Sequence, residues 1–347
     1  MNTDVSLYLG LLLFSFIVTS LAIIPFIDAL FKFKFRRRVQ ATIDPQGEAA
    51  KIFDKLHNWK AGTPVGGGLL VIIVVITLYA ILFPSMQSIG VFIKTAHNIY
   101  HEIVVLFFTM VSWGVLGLYD DILKFFKVEE RKFFGLRFRH KFIIQWILAI
   151  ITAFYLYDKL GIDFINIPIL GIIKLYWFYI PIAAFIIVTF ANAYNITDGL
   201  DGLSTGLLMI SLFAFWFISS TSLDTVLSLF IALWLGSIIA FLYFNIFPAR
   251  IYLGDVGALS FGATFAVVGL LLGKPIALFI VGGIFLAEGG SSLIQLISKK
   301  YFNRKIFPLA PFHLTLQKMG WEEPKIVFRA WLAGIMLGIF GAWLATI

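Results

Sequence analysis

The sequence predicts an all-α membrane protein of about ten transmembrane helices with both termini outside. Its apolar composition, the length of its apolar runs and the one-sided placement of its Lys and Arg carry this reading. Of 347 residues, 60% are apolar and 13% charged, whereas a soluble domain carries about 25% charged residues and at most about 50% apolar ones. One soluble core cannot hide that much apolar surface, so the bilayer serves as solvent.

Apolar runs lie near 6–31, 65–83, 103–119, 142–157, 175–191, 203–218, 223–244, 257–273, 275–297 and 326–347. Most reach the roughly 17–25 residues that span a hydrocarbon core. They are unbroken and rich in Leu, Ile and Phe, which makes helices the default; the short alternating strands of a membrane β-barrel do not occur. The first run is not a cleavable signal, because Asp4 is the only charge before it while Lys32, Lys34, Arg36, Arg37 and Arg38 follow. That charge order leaves the N-terminus outside. On this orientation the inner segments 32–60, 119–141, 192–202, 245–256 and 298–325 hold 22 Lys and Arg, and the outer segments hold Lys94, Lys159, Lys174 and Lys274. The net charge of +8 therefore reads as membrane topology, and nucleic acid is not expected as a partner. The chain contains no cysteine, which excludes disulfides, thiolate catalysis and cysteine metal sites. No repeat or long linker divides it, and residues 1–347 read as a single polytopic domain.

Acids are scarce, so their placement is informative. Asp120 and Asp121 follow the third run, Asp198 and Asp201 lie after the fifth, and Asp255 lies after the seventh. On the predicted topology all five carboxylates, from three separate loops, sit level at the inner edge of the bilayer. Capping of helix ends is the bland account of any one of them. For the pairs Asp120–Asp121 and Asp198–Asp201 it is poorer, because ionisable groups at membrane depth are costly and usually functional. Carboxylates with few imidazoles suit a hard cation, magnesium or manganese; no paired spacing among His57, His97, His101, His140 and His313 favours zinc.

The stretch Asn192-Ala-Tyr-Asn-Ile-Thr-Asp-Gly-Leu-Asp-Gly202 packs amides, carboxylates, a hydroxyl and glycines into an inner loop without Lys or Arg. It then enters an apolar helix, whose N-terminus attracts anions. Gly254-Asp-Val-Gly257 places a lone acid between glycines, and Thr63-Pro-Val-Gly-Gly-Gly68 opens the second run with an amide-rich turn. These resemble phosphate-cradling turns but lack a Walker ending, and close helix packing is the equal alternative for Gly66–Gly68. His313 stands between prolines and a basic cluster on the acid-bearing edge.

Taken together, these segments resemble the polyprenyl-phosphate N-acetylhexosamine-1-phosphate transferases, glycosyltransferase family 4, from about Lys60 to the C-terminus. The resemblance is carried by Lys60 to Gly68, Asp120-Asp-Ile-Leu-Lys124, Asn192 to Gly202, Phe244-Asn-Ile-Phe-Pro-Ala249, Gly254 to Gly257, Glu288, Gln295 and Gly320-Trp-Glu-Glu-Pro-Lys325. Ile306 to His313, with the following Gly-Trp-x-Glu, is similar to the branch that uses the muramoyl-pentapeptide nucleotide. The sequence departs from the family pattern after His313, where Leu314 and Thr315 replace two histidines and Gln317 replaces a glutamate. Tyr252 and Ala258 stand where Phe and Ser are usual.

The resemblance implies a Mg-dependent transferase of the bacterial plasma membrane with its active site at the cytoplasmic face. It would pass phospho-N-acetylmuramoyl-pentapeptide from UDP-N-acetylmuramoyl-pentapeptide to undecaprenyl phosphate, forming lipid I and releasing UMP. It implies Asp255 as magnesium ligand, with Asp120 and Asp121 beside the metal on the lipid-phosphate side. Lys124 and Lys141 would supply fixed positive charge. Lys60, Asn195, Asp198, Gly199, Leu200, Asp201, Asn245 and Tyr252 would line the nucleotide side, and His313 would touch the sugar phosphate. Manganese is expected to substitute for magnesium, and a homodimer is compatible with the reading. An N-acetylglucosamine-1-phosphate transferase of the same family is the near alternative. A non-catalytic transporter or flippase is the remote one, disfavoured because the acids lie at one membrane edge and not at the midplane.

Overall fold

The computed structural model describes residues 3–37, 60–88, 91–125, 136 and 138–347. Several cations that underlie the orientation (Arg38, Lys51, Lys55, Lys127, Arg131, Lys132 and Arg137), and also His57, lie outside these residues. The long apolar runs become helices because hydrocarbon offers no partner for a free backbone N–H or C=O. In chain order they are α1 (Thr3–Lys32), α2 (Gly67–Ser88), α3 (Ile99–Phe125), α4 (Phe138–Leu160), α5 (Tyr179–Thr197), α6 (Leu203–Thr221), α7 (Thr225–Asn245), α8 (Gly254–Leu271), α9 (Pro275–Val281), α10 (Gly283–Phe302), α11 (Phe312–Lys318) and α12 (Glu323–Thr346). Among the described residues nine helices are long and apolar enough to cross a membrane, or ten if α9 and α10 count as one broken span.

That break corrects the ninth predicted run. Residues 275–297 do not form one straight helix; α9 and α10 meet at Gly282 with a bend of 76°. Gly282 sits against the Phe190 ring, where an added Cβ would lie 2.4 Å from Cε1. Two short strands also appear where only helices were expected. β1 (Phe164–Ile167) pairs antiparallel with β2 (Gly171–Lys174) between α4 and α5.

α7 and α8 form the centre. In their most apolar windows 94% and 89% of residues are buried, against 33%, 28% and 33% for α1, α4 and α12, which form the rim. α8 packs against α2, α3 and α5, and α7 packs against α1, α2 and α6. Between helices in lipid, small residues and hydroxyls serve as the contact. The Ser15 hydroxyl donates to the Leu233 carbonyl at 2.6 Å, and Thr19 and Ser237 share a 2.8 Å bond. Ser260 donates to the Met110 carbonyl at 2.6 Å.

Two very close approaches surround the first turn of α8, matched at Gly236 of α7 against the Leu12 carbonyl of α1. A Cβ on Gly117 would lie 2.1 Å from the Asp255 carbonyl oxygen, and one on Gly68 would lie 2.2 Å from Gly257 Cα. Backbone therefore meets backbone at both places. Gly117→Ala should lower stability by about 1–3 kcal/mol, the usual range for overpacking, read as a fall in melting temperature in detergent. Gly10→Ala, with open space around it, is the control and should not lower it. Equal melting temperatures for both variants would mean that α3 yields freely.

Candidate active site

The acids occupy helix ends more than loops, which corrects the sequence reading. Asp120 and Asp121 lie within α3, whose polar last turns continue beyond its apolar stretch. Asp255 lies in the first turn of α8, where a helix N-terminus favours negative charge. α5 runs through Thr197, so the non-helical part of the 192–202 stretch shrinks to Asp198–Gly202.

At one end of the bundle two lysines bridge two carboxylates. Lys124 Nζ lies 3.0 Å from Asp120 Oδ2 and 2.8 Å from Asp255 Oδ2. Lys141 Nζ, from the first turn of α4, lies 2.8 Å and 2.5 Å from the same two oxygens. Asp120 and Lys124 are an i,i+4 pair, which a helix places on one face. The other Asp120 oxygen accepts the Leu136 N–H at 2.7 Å, and Asn195 Nδ2 donates to Asp255 Oδ1 at 3.2 Å. Asp121 has a different task. Its Oδ2 accepts the Val256 N–H at 3.0 Å and lies 2.7 Å from where a Cβ on Gly254 would be. Asp121 thus satisfies an amide of the α8 first turn, and Gly254, at φ +78°, leaves it room.

The Asp198–Gly202 turn joins this cluster to two others. Gly199 lies against His313; a Cβ there would meet Nε2 at 2.5 Å. His313 is buried, and Glu288 of the bent α10 holds both its Nδ1, at 2.9 Å, and its backbone N–H, at 3.2 Å. Asp198 accepts from Ser204 at 2.5 Å, and Leu200 is buried. Asp201 Oδ1 lies 2.6 Å from Lys60 Nζ, and its Oδ2 accepts the Ala249 N–H at 2.9 Å. Lys60 also lies 2.5 Å from Glu323 Oε1. Both Lys60 and Asp201 are 2% exposed, so these two face each other in the fold.

Asn245 is buried too, accepting from Thr205 at 2.8 Å and donating to the Ile251 carbonyl at 2.9 Å. Tyr252 is half-buried with the Arg37 guanidinium 5.7 Å from its ring centre. Burial and the Asp201 charge hold its hydroxyl above the usual tyrosine range. The Tyr252 carbonyl accepts the Gly66 and Gly67 amides at 3.1 and 2.9 Å, and the Leu253 carbonyl accepts that of Gly68 at 2.9 Å. The phosphate-cradling reading of Thr63–Gly68 is therefore corrected. Its glycine amides are spent on backbone carbonyls, and packing explains the glycines.

Asp120, Asp255, Lys124, Lys141 and Asn195 thus form one cluster, and Lys60, Asp201 and Glu323 form another, with Asp198, Gly199 and His313 between. Glu323, Glu288 and Ser204 are the participants that the choice of site residues missed. For Glu323 the available signal was the Gly-Trp-x-Glu spacing. Among the described residues no three acids or imidazoles converge on one point. A family model described as glycosyl transferase family 4 matches residues 103–273, which include every carboxylate of the cluster around Asp255. The chain is similar to curated proteins named phospho-N-acetylmuramoyl-pentapeptide-transferase. That of Clostridium perfringens is 35% identical, over 90% of this chain and 89% of the relative. That of Oceanobacillus iheyensis is 33% identical, over 83% and 85%. That of Halalkalibacterium halodurans is 32% identical, over 96% of each.

Asp198 generates a pH prediction. Burial pushes its carboxyl up to about 7; the Ser204 hydroxyl opposes the shift and the charges of Asp255 and Asp201 add to it. The folded protein thus keeps this proton to about pH 7, whereas an unfolded chain releases it near about 4. The stabilising contribution is whole below about pH 4 and is lost as pH rises to about 7. Asp198→Asn, neutral at every pH, should gain melting temperature relative to wild type at pH 8 compared with pH 4.5. Parallel curves for the two proteins would contradict the shift.

Proposed function

This chain belongs to the phospho-N-acetylmuramoyl-pentapeptide transferases, within glycosyl transferase family 4, and from that membership we propose that it makes lipid I. A phosphate oxygen of undecaprenyl phosphate attacks the phosphorus attached to the sugar of UDP-N-acetylmuramoyl-pentapeptide. A new P–O–P bond forms, the bond to the uridylate oxygen breaks, and UMP leaves. The observation that carries this reading is the pair of lysines held between Asp120 and Asp255 at one end of the bundle.

Two anions must meet, so the site must supply positive charge where charge develops. Lys124 and Lys141 are partly exposed, at 24% and 16% of their side chains, and can turn from carboxylate to phosphate while staying beside the reacting centre. Asp120 holds both lysines and an amide, an arrangement for orienting cations. Proton removal is not needed from it, because a phosphate monoester with a second pKa of about 6 is already largely ionised at neutral pH.

Magnesium fits the donor set. It keeps several waters and takes one or two carboxylates together with substrate phosphates. Asp255, 17% exposed at its side chain, offers such a carboxylate, with Asp120 sharing its two lysines and Asp121 bonded to the next amide of α8. When bound, the ion would neutralise phosphate charge and polarise the P–O bond. Asp198, Gly199, Leu200, Asn245 and Tyr252 belong to the nucleotide side with Lys60 and Asp201, Asn195 joins that side to Asp255, and His313 belongs to the sugar phosphate. The excess of Lys and Arg beside the acid-bearing end supports a cytoplasmic site and outside termini in a bacterial plasma membrane. The outward face of α12 (Leu332, Ile335, Met336, Ile339) is exposed and apolar, as contact with lipid or with a second copy in a homodimer requires.

Purified protein in detergent should release UMP from the muramoyl-pentapeptide nucleotide when undecaprenyl phosphate is present. Activity should stop with chelator and return with magnesium or manganese. Turnover of the N-acetylglucosamine nucleotide alone would assign the chain to the sister activity. Asp255→Asn should cost at least about 100-fold, the scale for removing a charge-stabilising group, and a near-normal rate would remove Asp255 from the role. His313→Ala should abolish most activity. Restoring His at both Leu314 and Thr315 should not raise activity, since both side chains are buried and Thr315 is turned to the Leu309 carbonyl. An active His313→Ala protein would make the imidazole a packing element.

A further inference from the structure

We infer that Glu323 is a positioning residue for the nucleotide side of the site. From one carboxylate oxygen it fixes both the ammonium of Lys60 and the turn that carries Asp201. The inference rests on the reading above, in which Lys60 and Asp201 serve the nucleotide.

Glu323 Oε1 lies 2.5 Å from Lys60 Nζ and accepts the Asp201 N–H at 2.6 Å. Lys60 Nζ reaches Asp201 Oδ1 at 2.6 Å, closing a ring of three contacts. The three residues are 2%, 2% and 8% exposed and come from separate parts of the chain. Lys60 precedes α2, Asp201 lies in the turn after α5, and Glu323 opens α12. None can be held by its own local structure. The ring contains two carboxylates and one ammonium. Glu323 stands in the first turn of α12, where the helix N-terminus favours an anion.

A second contact from the same helix acts on the same turn. Trp331 Nε1, two turns further along α12, donates to the Gly202 carbonyl at 3.2 Å. The indole presses on Gly206, where a Cβ would lie 2.1 Å from Cε2. α12 therefore grips the Asp198–Gly202 turn at both sides, at the Asp201 amide and at the Gly202 carbonyl. This accounts for the glutamate of the Gly-Trp-x-Glu motif. It also distinguishes Glu323 from its neighbour Glu322, which caps the helix without a side-chain bond. Without Glu323 the Lys60 ammonium would lose a carboxylate contact, and the amide of Asp201 would be left buried without its acceptor.

The test is binding of uridine diphosphate to the full-length protein in detergent by calorimetry, together with the KM of each substrate and the melting temperature. Glu323→Ala removes both contacts. Glu323→Gln keeps an oxygen for the Asp201 amide and removes the charge. Loss of a hydrogen bond to a charged group corresponds to roughly 10-fold or more in binding. Glu323→Ala should weaken uridine diphosphate binding and raise the nucleotide KM by about that factor, with Glu323→Gln intermediate and the undecaprenyl-phosphate KM unmoved. Because part of the effect of Glu323 runs through Lys60, Glu323→Ala should cost less in a Lys60→Met background than in the wild type. Nucleotide affinity equal to wild type in Glu323→Gln and Glu323→Ala would overturn the role of Glu323. So would an equal rise in both KM values alongside a fall in melting temperature, the mark of general destabilisation. If Glu323→Ala does not fold, the Gln variant decides alone. A wild-type protein that binds no uridine diphosphate would overturn the underlying reading as well.

Discussion

The first turn of α8 meets the backbones of two other helices with no side chain between. Gly68 of α2 faces Gly257, and Gly117 of α3 faces the Asp255 carbonyl. In lipid the hydrophobic effect does not press helices together, so approach of this kind supplies dispersion contact that larger residues would prevent. It also fixes distances. Asp120 and Asp121 lie one turn beyond Gly117, and Asp255 lies two residues before Gly257. Once α3 and α8 are locked at these glycines, three carboxylates stand at one end of the bundle with little freedom. The lysines of α3 and α4 complete the cluster.

Charges so close to hydrocarbon persist only when paired. Isolated burial of a carboxylate or an ammonium costs several kcal/mol, and a pair is tolerable where geometry is good and the remaining oxygens are bonded. Both clusters meet that condition. Asp120 shares one oxygen between two lysines and gives the other to an amide; Asp201 shares itself between Lys60 and Ala249. The clusters differ in access. The lysines around Asp255 are partly exposed, whereas Lys60 and Asp201 are closed off. Charge that must exchange partners with a phosphate belongs in the first, and charge that holds a binding surface in shape belongs in the second.

The bend at Gly282 links the rim to this arrangement. It turns α10 away from the line of α9, so that Glu288 reaches His313 and Gln295 binds the chain at Ile306 and Phe307. A straight helix over 275–297 would carry Glu288 along the bundle instead. His313 then lies on Gly199, where any Cβ would have to displace the imidazole. The Asp198–Gly202 turn is therefore held by α12, by His313 and by Ser204 at once, which is how five residues can serve clusters on both sides.

The sequence by itself determined that this chain lives in a bilayer, because the length and density of its apolar runs leave no other solvent. The acids at one edge, the 192–202 stretch and the family resemblance were equally legible, since each depends on residue type and spacing along the chain. Helix ends were less so. Asp120, Asp121 and Asn192–Thr197 read as loop because polarity marks the end of an apolar run, yet a helix continues wherever its backbone bonds can still close. The broken ninth span read as one because glycine and apolar residues satisfy either geometry, and the Phe190 ring against Gly282 comes from elsewhere in the chain. The division of labour among the site residues was beyond the sequence altogether. Asp120 and Asp121 are adjacent letters, but a helix turns about 100° per residue, so one faces the lysines and the other the amide of Val256. Lys60, Asp201 and Glu323 are remote in sequence, and only the packing of α12 against α6 and α9 brings their charges into one ring.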